Sequence, residues 1–405
     1  MSLRFLTAGE SHGPALVAIL DGMPAGLPLS SGTIDHELTR RQLGYGSGGR
    51  MKIEKDRAQI LGGVMDGLTT GAPISLLVEN SDHVKWKGKL IPALTTPRPG
   101  HADLTGAIKY GLRDLRPTLE RSSARETTMR VATGAICKHF LKQFGIIVGG
   151  YVNAIGEIST RFDEVCSERI SEEMYLQRFE MAEKSDVRCP DTVASGKMRA
   201  RIDEIIHGKD TLGGVLEIVA LGLPVGLGSY SQWDRRLEAQ LGAAVLSVQA
   251  MKGVEIGDAW ENTRLVGTRV HDAINLETDK TSGDKDLALI RPTNRAGGIE
   301  GGISNGLPLV IRVAMKPIAT TLTPQVTVDL ATGVQSPTKY ERSDFCPVPR
   351  AVPILEAMVA FVLADALIIK LGGDSMMEMK PRFDKLSQAN LQDLQMDKTD
   401  HIFWD

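Results

Sequence analysis

Residues 98–126 read RPGHADLTGAIKYGLRDLRPTLERSSARE and carry five arginines, a histidine set between Gly100 and Ala102, and the serine pair Ser122-Ser123. Guanidinium forks match carboxylate and phosphate bidentately. Ser123-Ala124-Arg125-Glu126 has the Ser-x-x-Glu form of a capping box and predicts a helix beginning near Ser123. The positive end of that helix would favour an anion, with Arg121 and Arg125 beside it and the Ser122 hydroxyl left to donate. The chemistry implied is the binding of a phosphorylated or carboxylated ligand. An ordinary capped helix beside solvated arginines fits the same letters.

A second polar concentration, Gly9-Glu10-Ser11-His12-Gly13-Pro14, joins two strand-like runs at 4–8 and 15–20. Histidine exchanges a proton near neutral pH, and flanking glycines let a ligand come close. A turn histidine packed on backbone is the alternative for His12. Residues 44–50, GYGSGGR, match G-x-G-x-x-G by letters, but a dinucleotide fingerprint needs a strand before it and a helix after it. Here the helix-like 31–42, ending in Arg40-Arg41, precedes and the strand-like 51–53 follows. The segment reads as an arginine-bearing loop over a site, or as a solvent loop. The run 295–302, RAGGIEGG, could offer backbone donors to a phosphate or a planar ring, or form a structural turn. No metal cluster, nucleophile elbow or P-loop pattern is present. Two glycine-flanked histidines with an arginine-rich anion site suggest acid–base chemistry on a small polyanion.

The elements that would position these groups follow from periodicity. Strands are predicted at 59–64, 73–79, 145–160, 199–206, 214–220 and 307–315. Helices are predicted at 31–42, from Ser123 through Leu141, at 235–252 and from Val352 to Leu371. The small-residue centre of 235–252 suggests close helix packing. Residues 161–197 read as a peripheral insertion and 374–405 as a peripheral tail. The spacing of Gly62-Gly63 to Pro73 recurs at Gly213-Gly214 to Pro224, a weak hint of duplicated units.

Bulk properties narrow the class. At 405 residues the length allows two or three domains or one elaborate one. A formal net charge of −3 and 5% aromatics argue against an RNA-binding role for the arginine- and glycine-rich stretches. Glu356, Asp365 and Lys370 interrupt the apolar run 352–371, which predicts a buried helix rather than a membrane span. The four cysteines lack metal or redox spacing, and the N-terminal residues carry no leader pattern. Both point to a cytoplasmic protein.

The collected motifs resemble one family, chorismate synthase. They are Gly9-Glu10-Ser11-His12-Gly13, Gly48-Gly49-Arg50-Met51, Arg98-Pro99-Gly100-His101-Ala102-Asp103 and Glu120-Arg121-Ser122-Ser123-Ala124-Arg125-Glu126. Gly226-Leu227-Gly228-Ser229-Tyr230, Gly301-Gly302 with Asn305-Gly306, Met315-Lys316-Pro317-Ile318 and Arg342-Ser343-Asp344 follow in order. The resemblance implies an α+β fold, a single domain over residues 1–405 in which helices lie between two antiparallel sheets in an internally duplicated β-α-β sandwich. It implies a homotetramer with no nucleic-acid or membrane partner. The implied reaction is the 1,4-elimination of phosphate and a ring proton from 5-enolpyruvylshikimate 3-phosphate to give chorismate, the last step of the shikimate pathway. It needs reduced FMN without net redox change, and no metal.

By the same resemblance, His12 would protonate the departing phosphate, His101 would protonate or stabilise the reduced flavin, and Asp344 would assist proton removal. Ser11, Arg50, Arg98, Arg125 and Arg342 would contact substrate. Arg121, Ser122, Ser123, Gln249, Ala250, Gly301, Lys316, Pro317, Ile318, Ala319, Thr320 and Arg342 match positions that contact FMN. Of two basic positions associated with NADP, Arg41 matches the first and Ser47 departs from the second.

Overall fold

The computed structural model describes residues 2–48, 55–161, 170–278, 287–341, 343–394 and 396–403. Two antiparallel sheets dominate. The first contains β1 (Arg4–Ala8), β2 (Ala15–Asp21), β3 (Ala58–Gly62) and β4 (Ile74–Glu79), in the order β1-β2-β4-β3. Its register pairs Phe5 with Leu20 and Val17 with Leu77. Alternation decides its inner face: Leu16, Ala18 and Leu20 are buried together with Ile74, Leu76 and Val78, while Ile19 is exposed.

The second sheet contains β5 (Ile147–Ile155), β6 (Ile158–Ser159), β7 (Gly214–Leu221), β8 (Met251–Ile256) and β9 (Leu309–Met315), in the order β8-β9-β7-β5-β6. Its register pairs Val152 with Leu216 and Ile311 with Ile218.

Helices α1 (Ser31–Gln42), α2 (Asp103–Tyr110), α3 (Arg116–Ser122), α4 (Thr127–Lys142), α5 (Glu172–Lys184), α6 (Thr192–Gly208), α7 (Leu237–Leu246), α8 (Val348–Leu371) and α9 (Met376–Phe383) complete the frame. α4 packs on β2 of the first sheet, α8 on β5 and β7 of the second, and α4 and α8 on each other. α8 is long and apolar enough to cross a membrane, yet 83% of its most apolar window is buried inside the protein, so it is a core helix. Pro353 inside α8 has no N–H for the Pro349 carbonyl four residues back. The Arg188 Nη1 donates to that carbonyl instead at 2.8 Å. Arg188 comes from the segment 161–197, whose α5 also lies against β5.

Three predicted elements differ. The predicted strand 199–206 lies inside α6, whose first turn is capped by the Asp191 carboxylate accepting from the Val193 and Ala194 N–H groups. Its Met198 and Ile202 are buried at a spacing of one turn, a helical period that β-branched composition concealed. The predicted helix 235–252 ends at Leu246, and Met251 already begins β8. The helix predicted from Ser123 begins at Thr127, after a short 3₁₀ turn over Ala124–Glu126. Ser123 accepts from Arg125 N–H at 3.3 Å, but the Glu126 carboxylate is drawn to Arg130 and Thr7 rather than back to Ser123. Cys137, Cys189 and Cys346 are buried and unpaired, and burial pushes the thiols of Cys189 and Cys346 up to about 12. Cys166 lies outside the described residues.

Candidate active site

The β1–β2 turn, the 98–102 loop, the α3–α4 junction, the approach to β8 and the segment leaving β9 converge on one cavity of about 430 Å³. That volume lies within the ~300–1,000 Å³ common for small-molecule sites. Leu119, Val248, Met251, Met315, Ile318 and Ile354 give it apolar walls. Among the described residues, Arg41, Arg98, Arg125, Lys316 and Arg350 also line it, against Glu341 and Asp344. Cations therefore outnumber carboxylates on its surface in a protein whose formal charge is −3. A surplus of guanidinium groups in a partly apolar cleft favours a small polyanion.

His12 sits at one end. Its main-chain N–H donates to Glu120 Oε2 at 2.8 Å, and its Nδ1 lies 2.8 Å from Glu120 Oε1. Burial alone would push the Glu120 carboxyl up, but the bonds from His12 outweigh it and hold the group below the usual carboxylate range. An ionised carboxylate only accepts, so Nδ1 carries the proton. The Trp86 ring lies against the imidazole with centroids 4.4 Å apart at a tilt of 44°. The His83 Nδ1, 2.9 Å from the His12 carbonyl, fixes the turn from the other side.

His101 is held by a different carboxylate. Asp103, fully buried, accepts from Arg98 N–H at 3.0 Å, from Arg98 Nε at 2.8 Å and from Arg98 Nη2 at 3.0 Å. Its Oδ1 also lies 2.6 Å from His101 Nδ1. Burial would raise the Asp103 carboxyl, yet the bonds from His101 and Arg98 hold it well below its ordinary range. Nδ1 of His101 is thus again the protonated nitrogen, and Arg98 Nη2 lies 3.0 Å from Nδ1 and 3.3 Å from Nε2. Arg98 Nη1 donates to Thr320 Oγ1 at 3.0 Å, and Lys316 Nζ donates to the Gly100 carbonyl at 2.9 Å. These bonds join the histidine loop to the segment after β9.

The third wall is an arginine cluster. Arg125 Nη1 donates to Asp56 at 2.6 Å and its Nε to Asn80 at 2.9 Å. Arg41 reaches Thr127 Oγ1 at 3.1 Å and the Ala124 carbonyl at 3.1 Å. Complete burial and the nearby Arg350 push Arg41 down to about 9 against the pull of Asp56. Asp344 accepts from Gly48 N–H at 2.8 Å and from Arg350. A Cβ on Gly48 would stand 2.3 Å from the Ser343 carbonyl, so only glycine brings that N–H so near.

The profile of one family, chorismate synthase, matches residues 3–368. The chain belongs to the chorismate synthase family. It is 50% identical over 391 residues to the chorismate synthase of Aquifex aeolicus (strain VF5), an alignment covering 94% of this chain and 96% of that one. With the chorismate synthase of Symbiobacterium thermophilum it shares 49% identity over 401 residues, covering 94% and 97%. A solved chorismate synthase crystal structure superposes with a TM-score of 0.77 at 44% identity, covering 95% of this chain and 97% of that one.

Against the contacts expected from the family, Ser11, His12, Arg98, His101, Ser122, Ser123, Arg125, Gln249, Ala250, Lys316, Ile318, Ala319, Thr320 and Asp344 all line the one cavity, as does Arg41. Arg121, Gly301, Pro317 and Ser47 are not among its lining residues. Arg121 Nη2 donates instead to the Thr7 carbonyl at 2.9 Å, and the Ser47 hydroxyl donates to the Gly44 carbonyl. Ser122 does not keep its proton for a ligand: it donates to the Thr118 carbonyl at 2.6 Å, one turn back, and can only accept. Arg50 and Arg342 lie outside the described residues, as does the strand-like 51–53. Glu120, Asp103, Asp56, Trp86 and Arg350 were missed. Asp103 and Glu120 were within reach of sequence reasoning, as the last residue of the Arg98–Asp103 motif and the first of the Glu120–Glu126 motif.

One wall of the cavity offers an acceptor to a further ligand. Gln249 Oε1 is buried at its wall and lacks a partner among the described residues. Ala250 beside it holds φ +68°, a left-handed conformation costly for a residue with a Cβ. Strain and an unsatisfied acceptor together at the lining of a cleft are characteristic of a ligand site.

Proposed function

We propose that this cavity carries out the family's reaction on 5-enolpyruvylshikimate 3-phosphate, releasing phosphate and a ring proton to give chorismate. The chain would thus be a carbon–oxygen lyase closing the shikimate pathway. The observation that carries the reading is the pairing of His12 and His101, each anchored through Nδ1 to its own carboxylate, in one cleft whose cations outnumber its acids. The substrate bears two carboxylates and a phosphate, which matches that surplus.

Arg98, Arg125, Arg50 and Arg342 grip and orient the substrate in this reading, with Ser11 beside them. Arg125 meets it as one member of a buried cluster, because Asp56 already balances part of its charge. His12 delivers a proton to the departing phosphate oxygen from Nε2, the nitrogen opposite its Glu120 bond. His101 holds its Nδ1 proton on Asp103 and would act on the cofactor. Asp344, held between Arg350 and Gly48 N–H, is the carboxylate placed to assist loss of the ring proton.

Reduced FMN supplies, when bound, the electron-rich partner that lets phosphate leave without net redox change. Ser122 and Ser123, Gln249 and Ala250, and residues 316–320 would hold it, with Arg121, Gly301 and Arg342 as further contacts. Arg41 and Ser47 have their polar atoms spent within the chain, so no NADPH-reducing role is assigned to them. A β-α-β sandwich with internal duplication, one domain with 161–197 and 374–405 at its periphery, a homotetrameric assembly and a cytoplasmic location complete the proposal.

The test is phosphate release from the purified protein with substrate. Release is expected only with FMN present and reduced, and without stoichiometric consumption of reductant. Full activity in flavin-free aerobic buffer would instead indicate a plain histidine-dependent lyase or phosphatase.

A further inference from the structure

Glu120 does not line the cavity, yet both of its carboxylate oxygens are committed to His12, one to the main-chain N–H and one to Nδ1, each at 2.8 Å. We propose that Glu120 is the positioning residue of the reaction: it fixes His12 in the tautomer with the proton on Nδ1, so that Nε2 is the nitrogen that takes up and delivers the catalytic proton. The inference rests on the reading of His12 as the acid toward the departing phosphate. No part of the family resemblance assigns a role to Glu120.

Three features make the clamp specific. Two donors of one residue meet two acceptors of another, so the side chain can neither rotate about χ2 nor retreat without breaking a bond. The carboxylate is 11% exposed, so water competes weakly for it. Trp86 lies 4.4 Å from the imidazole and limits ring rotation. Its own indole Nε1 donates to Asp82 at 3.4 Å, and Arg116, on the same helix as Glu120, stacks 5.9 Å from its centroid. The ring is therefore held along one edge and against one face. In the reaction the C–O bond breaks with its electron pair going to the phosphate oxygen. A proton passes from Nε2 to that oxygen, and His12 returns to the neutral form with Nδ1–H still on Glu120. A carboxylate also stabilises the doubly protonated ring that must form before transfer.

Glutamine cannot reproduce this. It offers one acceptor and one NH₂ donor to two N–H groups. The main-chain N–H of His12 can only donate, so the amide oxygen serves it and the NH₂ faces Nδ1, which moves the ring proton to Nε2. Aspartate keeps two acceptors but draws them back by one methylene.

The experiment compares wild type, Glu120→Gln and Glu120→Asp as flavin-loaded protein with histidine rings labelled in nitrogen-15. Solid-state spectra report the tautomer, and subtraction of His12→Ala assigns the signal. Wild type is expected to show Nδ1–H at His12 and Glu120→Gln to lose it. The kcat of Glu120→Gln should fall by about 10²–10⁴-fold, with the substrate KM within about two-fold. Glu120→Asp should keep Nδ1–H and recover part of kcat, which a purely structural role for Glu120 does not predict. An unchanged tautomer in Glu120→Gln, an unchanged kcat, or a folded Glu120→Asp as inactive as the glutamine variant overturns the proposal. If glutamine unfolds the protein, the aspartate comparison still decides it. An unchanged kcat in His12→Ala would instead overturn the reading of His12 as the acid, while the tautomer spectra would still decide whether Glu120 sets its proton.

Discussion

At the scale of single residues, each histidine was legible, but its pairing with a carboxylate was not. Glycine-flanked histidines in polar turns stand out in a sequence, but Glu120 lies 108 positions from His12, and no local pattern joins them. Serine was misread for a related reason: a helix carbonyl one turn back competes for the Ser122 proton, which is the usual fate of a hydroxyl inside a helix. If both histidines handle protons, His12→Ala and His101→Ala each lower turnover by about 10²–10⁴-fold while FMN and substrate still bind. Single-turnover phosphate release and binding titrations on the same preparations check this, and only His101→Ala should also alter the spectrum of bound flavin.

Asp103 adds a pH signature. Its carboxyl is held low in the folded state by His101 and Arg98 against the effect of burial. Its stabilisation is therefore full above the unfolded value and fades as pH falls toward the folded one. Asp103→Asn should cost about 3–5 kcal/mol near neutrality. The gap from wild type should narrow below about pH 4. Urea melts between neutral and acid pH measure it, and a constant gap refutes the assignment.

At the scale of elements, the sequence reading succeeded where a single face is buried and slipped where tertiary partners redirect a side chain. The alternation of β2 and β4 and the apolar density of α8 are written in composition. The capping box was not decisive, because Arg130 and Thr7 outbid Ser123 for Glu126. The small residues at the centre of α7 suggested close helix packing, yet Ala243 is exposed. The close approach is elsewhere, between α4 and α8. A Cβ added to Gly134 would stand 2.2 Å from Ala357 Cβ and 2.5 Å from Ala357 Cα. Two effects then oppose each other in Gly134→Ala. Helix propensity favours alanine by about 1 kcal/mol, whereas overpacking costs about 1–3 kcal/mol. The obstructing atoms belong to a neighbouring helix backbone, which cannot step aside as a flexible side chain could, so overpacking prevails. Gly134→Ala should lower the urea midpoint, and a rise would show that the two helices separate freely.

At the scale of the whole molecule, the central helices are tied by a buried ionic junction. Glu356 of α8, fully buried, accepts from Arg40 Nη1 of α1 at 2.6 Å and from Lys138 Nζ of α4 at 2.6 Å. Glu37 accepts from the same two cations at 2.6 and 3.0 Å, and Glu183 of α5 accepts from Arg40 Nη2 at 2.6 Å. Burial would raise the Glu37 carboxyl, but Lys138, His36 and Arg40 hold it well below its ordinary range. In the sequence Glu356 registers only as an interruption that argues against a membrane span. Its partners come from helices whose mutual packing no local pattern specifies. The junction also bears on the site, since Arg41 follows Arg40 and Arg350 lies on α8, and both line the cavity. Glu356→Leu removes one acceptor and leaves Lys138 and Arg40 with excess buried charge, at a cost of about 3–5 kcal/mol. Adding Lys138→Met removes one of those cations, while Arg40 keeps Glu37 and Glu183. The double variant should therefore be more stable than Glu356→Leu alone, although it lacks one more ionic contact. Chemical denaturation of wild type, both single variants and the double variant completes the thermodynamic cycle. Additive costs would mean that Glu356 and Lys138 act independently and that the junction does not hold the three helices as a unit.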